Sequence, residues 1–320
     1  MLAQGVREHF LEKGLMSAGI PAHCPVPLED AGKVSGRRKP GELETLECDP
    51  RVENPGQALD GGRHASDSCN TQRSTPAHGP TMTDVVFRTP AGDRSAYLAT
   101  PDGEGPWPGV LLVHEIFGLN DDMRALCHRV AAMGYLVLAP DFYAGGRWSR
   151  CMRGALRQLE AGDGEFPDAI ESGQVWLSRD SQCTGRVGVI GFSLGGGFGL
   201  LAAAKYPFSA ASVNYAEVPD DAEPLLAGAC PIIASYGGRD RTTRGVPERL
   251  QHALDAAGVE HDVATYPLAG HSFLSTRRYP RGLGMLAKLM GMNAGPHEPS
   301  ADRAWDRIDA FFGKHLRAEQ

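Results

Sequence analysis

From Met82 onward, short and nearly continuous apolar runs alternate with stretches of helical periodicity, and this alternation leaves the chain very few architectures. The runs lie at residues 109–113, 135–139, 187–190, 232–236 and 263–266. Each is short enough for a strand and too uniformly apolar for one with a wet face, which fits strands buried on both sides of a parallel sheet. Between them, residues 121–133, 168–177, 194–205, 248–257 and 303–316 read as helices; the last sets Trp305, Ile308, Phe311 and Phe312 at helical spacing. Helices that separate parallel strands imply right-handed crossovers. The expected fold class is therefore α/β, with an open, mostly parallel sheet covered by helices on both faces. Residues 85–87 and 96–99 flank the turn Pro90-Ala91-Gly92-Asp93 and predict an antiparallel hairpin ahead of that sheet.

The first 81 residues break the pattern. They hold Phe10 as their aromatic residue, and the stretch 54–81 is poor in apolar side chains. A segment of that composition cannot bury enough surface to offset its ordering entropy. Only Val6, Phe10 and Leu15 hint at a short amphipathic helix. The expected organisation is a disordered extension over residues 1–81, with Met82 a candidate natural start, followed by one α/β domain over residues 82–320.

Ligands of open parallel sheets bind beyond the carboxyl ends of the strands. At one such end the chain reads Gly191-Phe192-Ser193-Leu194-Gly195-Gly196-Gly197, between a predicted strand and a predicted helix. The Gly-x-Ser-x-Gly spacing in that context matches the nucleophile elbow of α/β-hydrolases. A sharp strand-to-helix turn strains the backbone of the central residue and leaves no room for side chains two positions away, so glycine is needed at both. The spacing fits neither Gly-x-Gly-x-x-Gly nor a phosphate-binding loop ending in lysine.

A serine hydroxyl needs a base, and the base an orienting carboxylate, in the chain order Ser, acid, His. Asp240 follows the run 232–236, and His271 follows the run 263–266, so both are expected at the rim that carries Ser193. Asp221 and Glu223 are rival acids; His252, His261, His297 and His315 are rival bases less well placed. The oxyanion formed by attack on a carbonyl needs amide donors. One is expected from Leu194, the other from the loop 113–118, at Ile116.

These segments carry a resemblance. His-Glu-Ile-Phe-Gly-Leu-Asn (114–120), Gly-Tyr-Leu-Val-Leu-Ala-Pro-Asp-Phe-Tyr (134–143), Gly-Phe-Ser-Leu-Gly-Gly-Gly (191–197), Gly-Gly-Arg-Asp (237–240) and Ala-Gly-His-Ser-Phe (269–273) together resemble the dienelactone hydrolases, or carboxymethylenebutenolidases, across residues 82–320. The resemblance implies hydrolysis of a small carboxylic ester or lactone by Ser193, Asp240 and His271, with Ile116 and Leu194 as oxyanion donors. It also marks Glu115, a glutamate that in the family sits beside the nucleophile and helps control its protonation. The chain departs from the family's usual cysteine at position 193. A stored thiolate is then replaced by a hydroxyl that loses its proton only during attack.

Family members proper hold a substrate carboxylate with arginines after the Asp-Phe-Tyr and His-Ser-Phe segments. Here Arg147 and Arg277 follow those segments at other offsets, and together with Tyr143 and Trp148 they are the expected substrate contacts. Residues 146–153 read as a cap over the site. The same constellation suits thioester cleavage or peroxide use, and a catalytically weak binding protein that keeps the fold is the other reading.

Composition narrows the partners. A net charge of -7 offers no basic field for nucleic acid or an anionic membrane. The seven cysteines form no Cys-x-x-Cys pair and are expected to be mostly reduced thiols, and His114-Glu115 lacks the second histidine of His-Glu-x-x-His. No metal or cofactor is expected. With no apolar run near the roughly 20 residues of a membrane span and no secretory h-region, the cytoplasm is the expected compartment.

Overall fold

The computed structural model of the protein describes residues 79–143, 148–279 and 281–317. The extension expected over residues 1–81 falls, up to residue 78, outside the described residues. An antiparallel hairpin of β1 (Thr81–Thr89) and β2 (Gly92–Thr100) leads into β3 (Trp107–Val113), α1 (Asp121–Ala132) and β4 (Leu136–Pro140). Next come α2 (Trp148–Ala161), α3 (Glu165–Arg179), β5 (Cys183–Phe192), α4 (Leu194–Lys205) and β6 (Ala210–Asn214). The chain continues through α5 (Ala222–Leu226), β7 (Ile232–Gly237), α6 (Val246–Ala257), β8 (His261–Tyr266), α7 (Arg281–Leu289) and α8 (Glu298–Leu316).

These strands form one eight-stranded sheet in the order β1-β2-β4-β3-β5-β6-β7-β8. β1 and β2, and β2 and β4, pair antiparallel; every pairing from β4 through β8 is parallel. The apolar runs are continuous because both faces are dry. In β3, Leu111 and Val113 join the core beneath α3, α4 and α6, with Ile170, Phe198 and Leu250; Val110 and Leu112 join the opposite core beneath α1 and α8, with Leu126, Trp305 and Phe312. α1 starts where Asn120 accepts hydrogen bonds from the amides of Asp122 (2.9 Å) and Met123 (3.0 Å), which satisfies two donors that the helix itself leaves open. No described helix is long and apolar enough to cross a membrane.

β3 has β4 on one side and β5 on the other. The chain therefore reverses its direction of travel across the sheet there, and the loops leaving β3 and β5 part to open a crevice at their carboxyl ends. Three elements were not read from the sequence as helices. α2 occupies the segment expected to cap the site, α5 follows β6, and α7 follows the His271 loop.

Trp305 is almost fully buried, with its ring 6.3 Å from that of Phe192 at the end of β5. Trp305→Ala is expected to cost about 4 kcal/mol of stability through lost burial and the cavity left behind, read as a lowered urea midpoint with little change in slope.

Candidate active site

The turn between β5 and α4 holds Ser193 at φ 54° and ψ −117°, a conformation that a non-glycine residue adopts only under constraint. Two close approaches impose it. A Cβ on Gly191 would meet the Gly195 carbonyl oxygen at 2.1 Å, and a Cβ on Gly195 would meet the carbonyl oxygens of Val113 and His114 at 2.3 and 2.5 Å. The start of α4 is thus pressed against the end of β3. From the other side, the Asn214 carbonyl accepts the Ser193 amide (3.0 Å), and the Asn214 amide group donates to the Gly191 carbonyl (3.2 Å). The elbow is held by backbone on both flanks.

The strain turns the serine hydroxyl toward His271. Ser193 Oγ lies 2.9 Å from His271 Nε2, and His271 Nδ1 lies 2.6 Å from Asp240 Oδ2. Asp240 is buried, and its other oxygen accepts from the Thr242 amide (3.0 Å) and hydroxyl (2.6 Å), while Thr243 donates to Oδ2 (3.2 Å). Burial by itself raises the Asp240 pKa. The hydrogen bonds from His271 and Thr242 outweigh it and hold the carboxyl below its ordinary value, so the group stays ionised beside the imidazole.

The loops that carry the acid and the base are tied together. Gly238 and Arg239 donate to the carbonyls of Tyr266 and Ala269 (2.8 Å each), and the His271 amide donates to Met292 (2.8 Å). Asp122, in the first turn of α1, accepts from the Thr276 amide (2.8 Å) and from the Ser275 and Thr276 hydroxyls. His271 is thereby braced from α1 as well as from the loop before α8. His114 performs a similar service: its Nδ1–H donates to the Glu115 carbonyl (2.8 Å), and its Nε2 accepts from the Phe142 amide (3.2 Å). That pattern requires a neutral ring, in line with burial lowering its pKa.

Ser193, His271, Ile116 and Leu194 line one cleft of about 70 Å³, roofed by Met152, Leu156 and Leu159 of α2. As the first residue of α4, Leu194 has an amide with no intrahelical acceptor, and the Ile116 amide makes no backbone hydrogen bond among the described residues.

Glu115 sits behind this cleft, buried, with Oε2 accepting from the Tyr279 hydroxyl (3.3 Å). Burial pushes its pKa up to about 7, although the charge on His271 and the hydrogen bond from Tyr279 pull the other way. Among the described residues it makes no hydrogen bond to Ser193.

The remaining expected residues lie elsewhere. Tyr143 is buried against His114 (4.9 Å between rings) and Phe166 (5.9 Å) and does not line the cleft. Arg277 is exposed and pairs with Asp121 at 3.1 Å. Arg147 falls outside the described residues, and Trp148 opens α2 with its side chain undescribed. The rival acids Asp221 and Glu223 are exposed, as is His252, while His297 is bonded to Ser300 and His261 to the Val259 carbonyl. Glu217, which no sequence pattern marked, lines the cleft. Among the described residues there is no cluster of His, Cys, Asp and Glu able to hold a metal ion.

Two outcomes test this geometry. Gly195→Ala is expected to destabilise the protein by about 3 kcal/mol, because the new methyl displaces backbone rather than a movable side chain; urea unfolding measures it. For Glu115, a pKa near 7 against an ordinary 4.5 means that the folded state binds the extra proton, so stability falls as pH rises from about 4.5 through 7. Glu115→Gln is expected to remove that fall, gaining on the order of 3 kcal/mol at pH 8.5 relative to its effect at pH 4.5.

A sequence profile of the dienelactone hydrolase family matches residues 95–316. The carboxymethylenebutenolidase of Rhodococcus opacus is 27% identical over 263 residues, which make up 78% of this chain and 97% of that protein. Among solved structures, a dienelactone hydrolase-like promiscuous phosphotriesterase from metagenomic libraries superposes with a TM-score of 0.64 at 20% identity, covering 75% of this chain and all of that one. The dienelactone hydrolase of Anabaena variabilis gives 0.54 at 19% identity, with the same coverage. At these identities the structural likeness speaks for the fold.

Proposed function

Since the chain belongs to the dienelactone hydrolase family, a family of carboxylic ester hydrolases, we propose that it hydrolyses small carboxylic esters or lactones through a covalent acyl intermediate on Ser193. The observation that carries this reading is the unbroken chain from Ser193 Oγ to His271 (2.9 Å) to Asp240 (2.6 Å), set on a backbone turn strained at the serine.

In the first step His271 Nε2 takes the hydroxyl proton as Ser193 Oγ bonds to the carbonyl carbon. The imidazolium so formed is stabilised by Asp240, which stays ionised and holds Nδ1–H in place. The carbonyl oxygen becomes an oxyanion and receives the Ile116 and Leu194 amides, donors that strengthen as charge develops and need no reorganisation. Collapse of the tetrahedral species expels the alkoxide, which takes the proton from Nε2. In the second step water gives a proton to His271, adds to the acyl carbon, and Ser193 leaves with its proton restored.

Serine changes the demand on Glu115. A thiol can be poised as thiolate before substrate arrives, but a hydroxyl with its far higher pKa is deprotonated only during attack. Glu115 then has no proton to manage on the resting nucleophile. Its negative charge near His271 favours the imidazolium instead, a contribution that grows as Glu115 ionises near pH 7.

The small volume beside Ser193 favours a short acyl group, being far below the several hundred Å³ of pockets for drug-sized ligands. Ser193→Ala is expected to lower kcat for p-nitrophenyl acetate by a thousandfold or more, on the order seen when a nucleophile of this kind is removed. A p-nitrophenyl phosphonate is expected to label Ser193 stoichiometrically in the wild type and not in His271→Ala. Turnover surviving in Ser193→Ala, or labelling independent of His271, would overturn the mechanism.

A further inference from the structure

One acid on the cleft wall has no part in the steps above. Glu217 lies just beyond β6 and faces the cleft shared by Ser193, Thr242 and His271. It is half-buried, and among the described residues its carboxyl makes no hydrogen bond and no ion pair. The ionisable groups around it come from four directions: Asp220 on its own loop, Arg249 on α6, Tyr236 and Asp240 in and after β7, and His271 after β8. Arg249 is already engaged, donating to the Val218 carbonyl (2.7 Å) and lying 3.5 Å from Asp220.

No described cation offsets Glu217 from the substrate's side. His271 is the one described lining residue able to carry positive charge, and Arg277, expected to receive a substrate carboxylate, is turned to solvent against Asp121. We propose that Glu217 sets the charge preference of the site. Esters that are neutral or carry an ammonium group near the scissile carbonyl are accepted, and those with a carboxylate there are rejected. Two carboxylates in one narrow, mostly apolar cleft repel with little screening, whereas an ammonium group supplies the partner that Glu217 lacks. This rests on Ser193 acting as the nucleophile. Burial raises the Glu217 carboxyl to about 7, with Arg249 and His271 partly opposing it, so its charge is present above neutrality and lost below.

The test compares three p-nitrophenyl esters on the same trans-enoyl frame: crotonate, the fumarate monoester, and 4-trimethylammoniocrotonate. Each kcat/KM is divided by the ester's hydroxide-catalysed rate and followed from pH 6 to 9. Any pH dependence common to the three esters cancels in their ratios. Wild type is expected to prefer crotonate over the fumarate monoester by roughly tenfold or more at pH 8.5, the ratio shrinking several-fold towards pH 6. In Glu217→Gln the ratio is expected to fall several-fold at pH 8.5 and to lose its pH dependence, while the ammonium ester loses ground to crotonate. A ratio unchanged by Glu217→Gln, a flat wild-type ratio, or a preference for the fumarate monoester would overturn the proposal. If Glu217→Gln does not fold, Glu217→Ala is read in its place with the same expected outcome. Turnover that survives Ser193→Ala would instead strike at the nucleophile, a separate failure.

Discussion

The site depends on a contact between two stretches of backbone, the start of α4 against the end of β3, at a distance that no side chain at position 195 would permit. From it follow the strained turn at Ser193, the direction of its hydroxyl, and the nearness of the Leu194 amide to the loop that supplies Ile116. The sheet makes the contact possible. β3 and β5 are parallel neighbours at the point where the chain changes its direction of travel, so both deliver their carboxyl ends to the same rim. The positions after β7 and β8 reach that rim for the same reason, and cross-strand hydrogen bonds between their loops fix Asp240 against His271.

Electrostatically the centre is an imidazole with three carboxyl groups in its neighbourhood. Asp240 touches it and is kept ionised; Glu115 and Glu217, less well hydrogen-bonded, both rise to about 7. Burial is common to all three, and what separates them is the number of donors aimed at each oxygen. Asp240 has donors from His271, Thr242 and Thr243, Glu115 has Tyr279 and Ser272, and Glu217 has none among the described residues. A site arranged in this way holds one permanent negative charge and two that come and go near neutrality.

Much of this was legible in the sequence because the relevant signals are local. Runs such as 109–113 declare a strand dry on both faces, and Gly191-x-Ser193-x-Gly195 declares a turn that only a strand-to-helix reversal requires. Asp240 and His271 could be placed from their positions after strands. α2 was read only as a cap, although Cys151, Met152, Ala155, Leu156 and Leu159 stand at the spacing of one helical face and Arg153 and Arg157 on the opposite one. Tyr143 and Arg277 were expected to meet substrate from their neighbours in sequence, yet the side-chain direction of one and the Asp121 partner of the other are tertiary facts. Glu217 belongs to no spacing pattern at all. Its importance comes from the cleft it faces, and a sequence does not display clefts.

The floor and the roof of the cleft are built differently. The floor consists of backbone clamped to backbone at Ser193, Gly195 and Asn214, whereas α2 contributes Met152, Leu156 and Leu159, apolar side chains with no hydrogen bond to Ser193, His271 or Asp240. Substitutions in that roof can reshape what fits while the reacting atoms keep their places. A lineage carrying this scaffold could therefore move between substrates by single steps in α2, each selectable by itself, with the chemistry inherited intact.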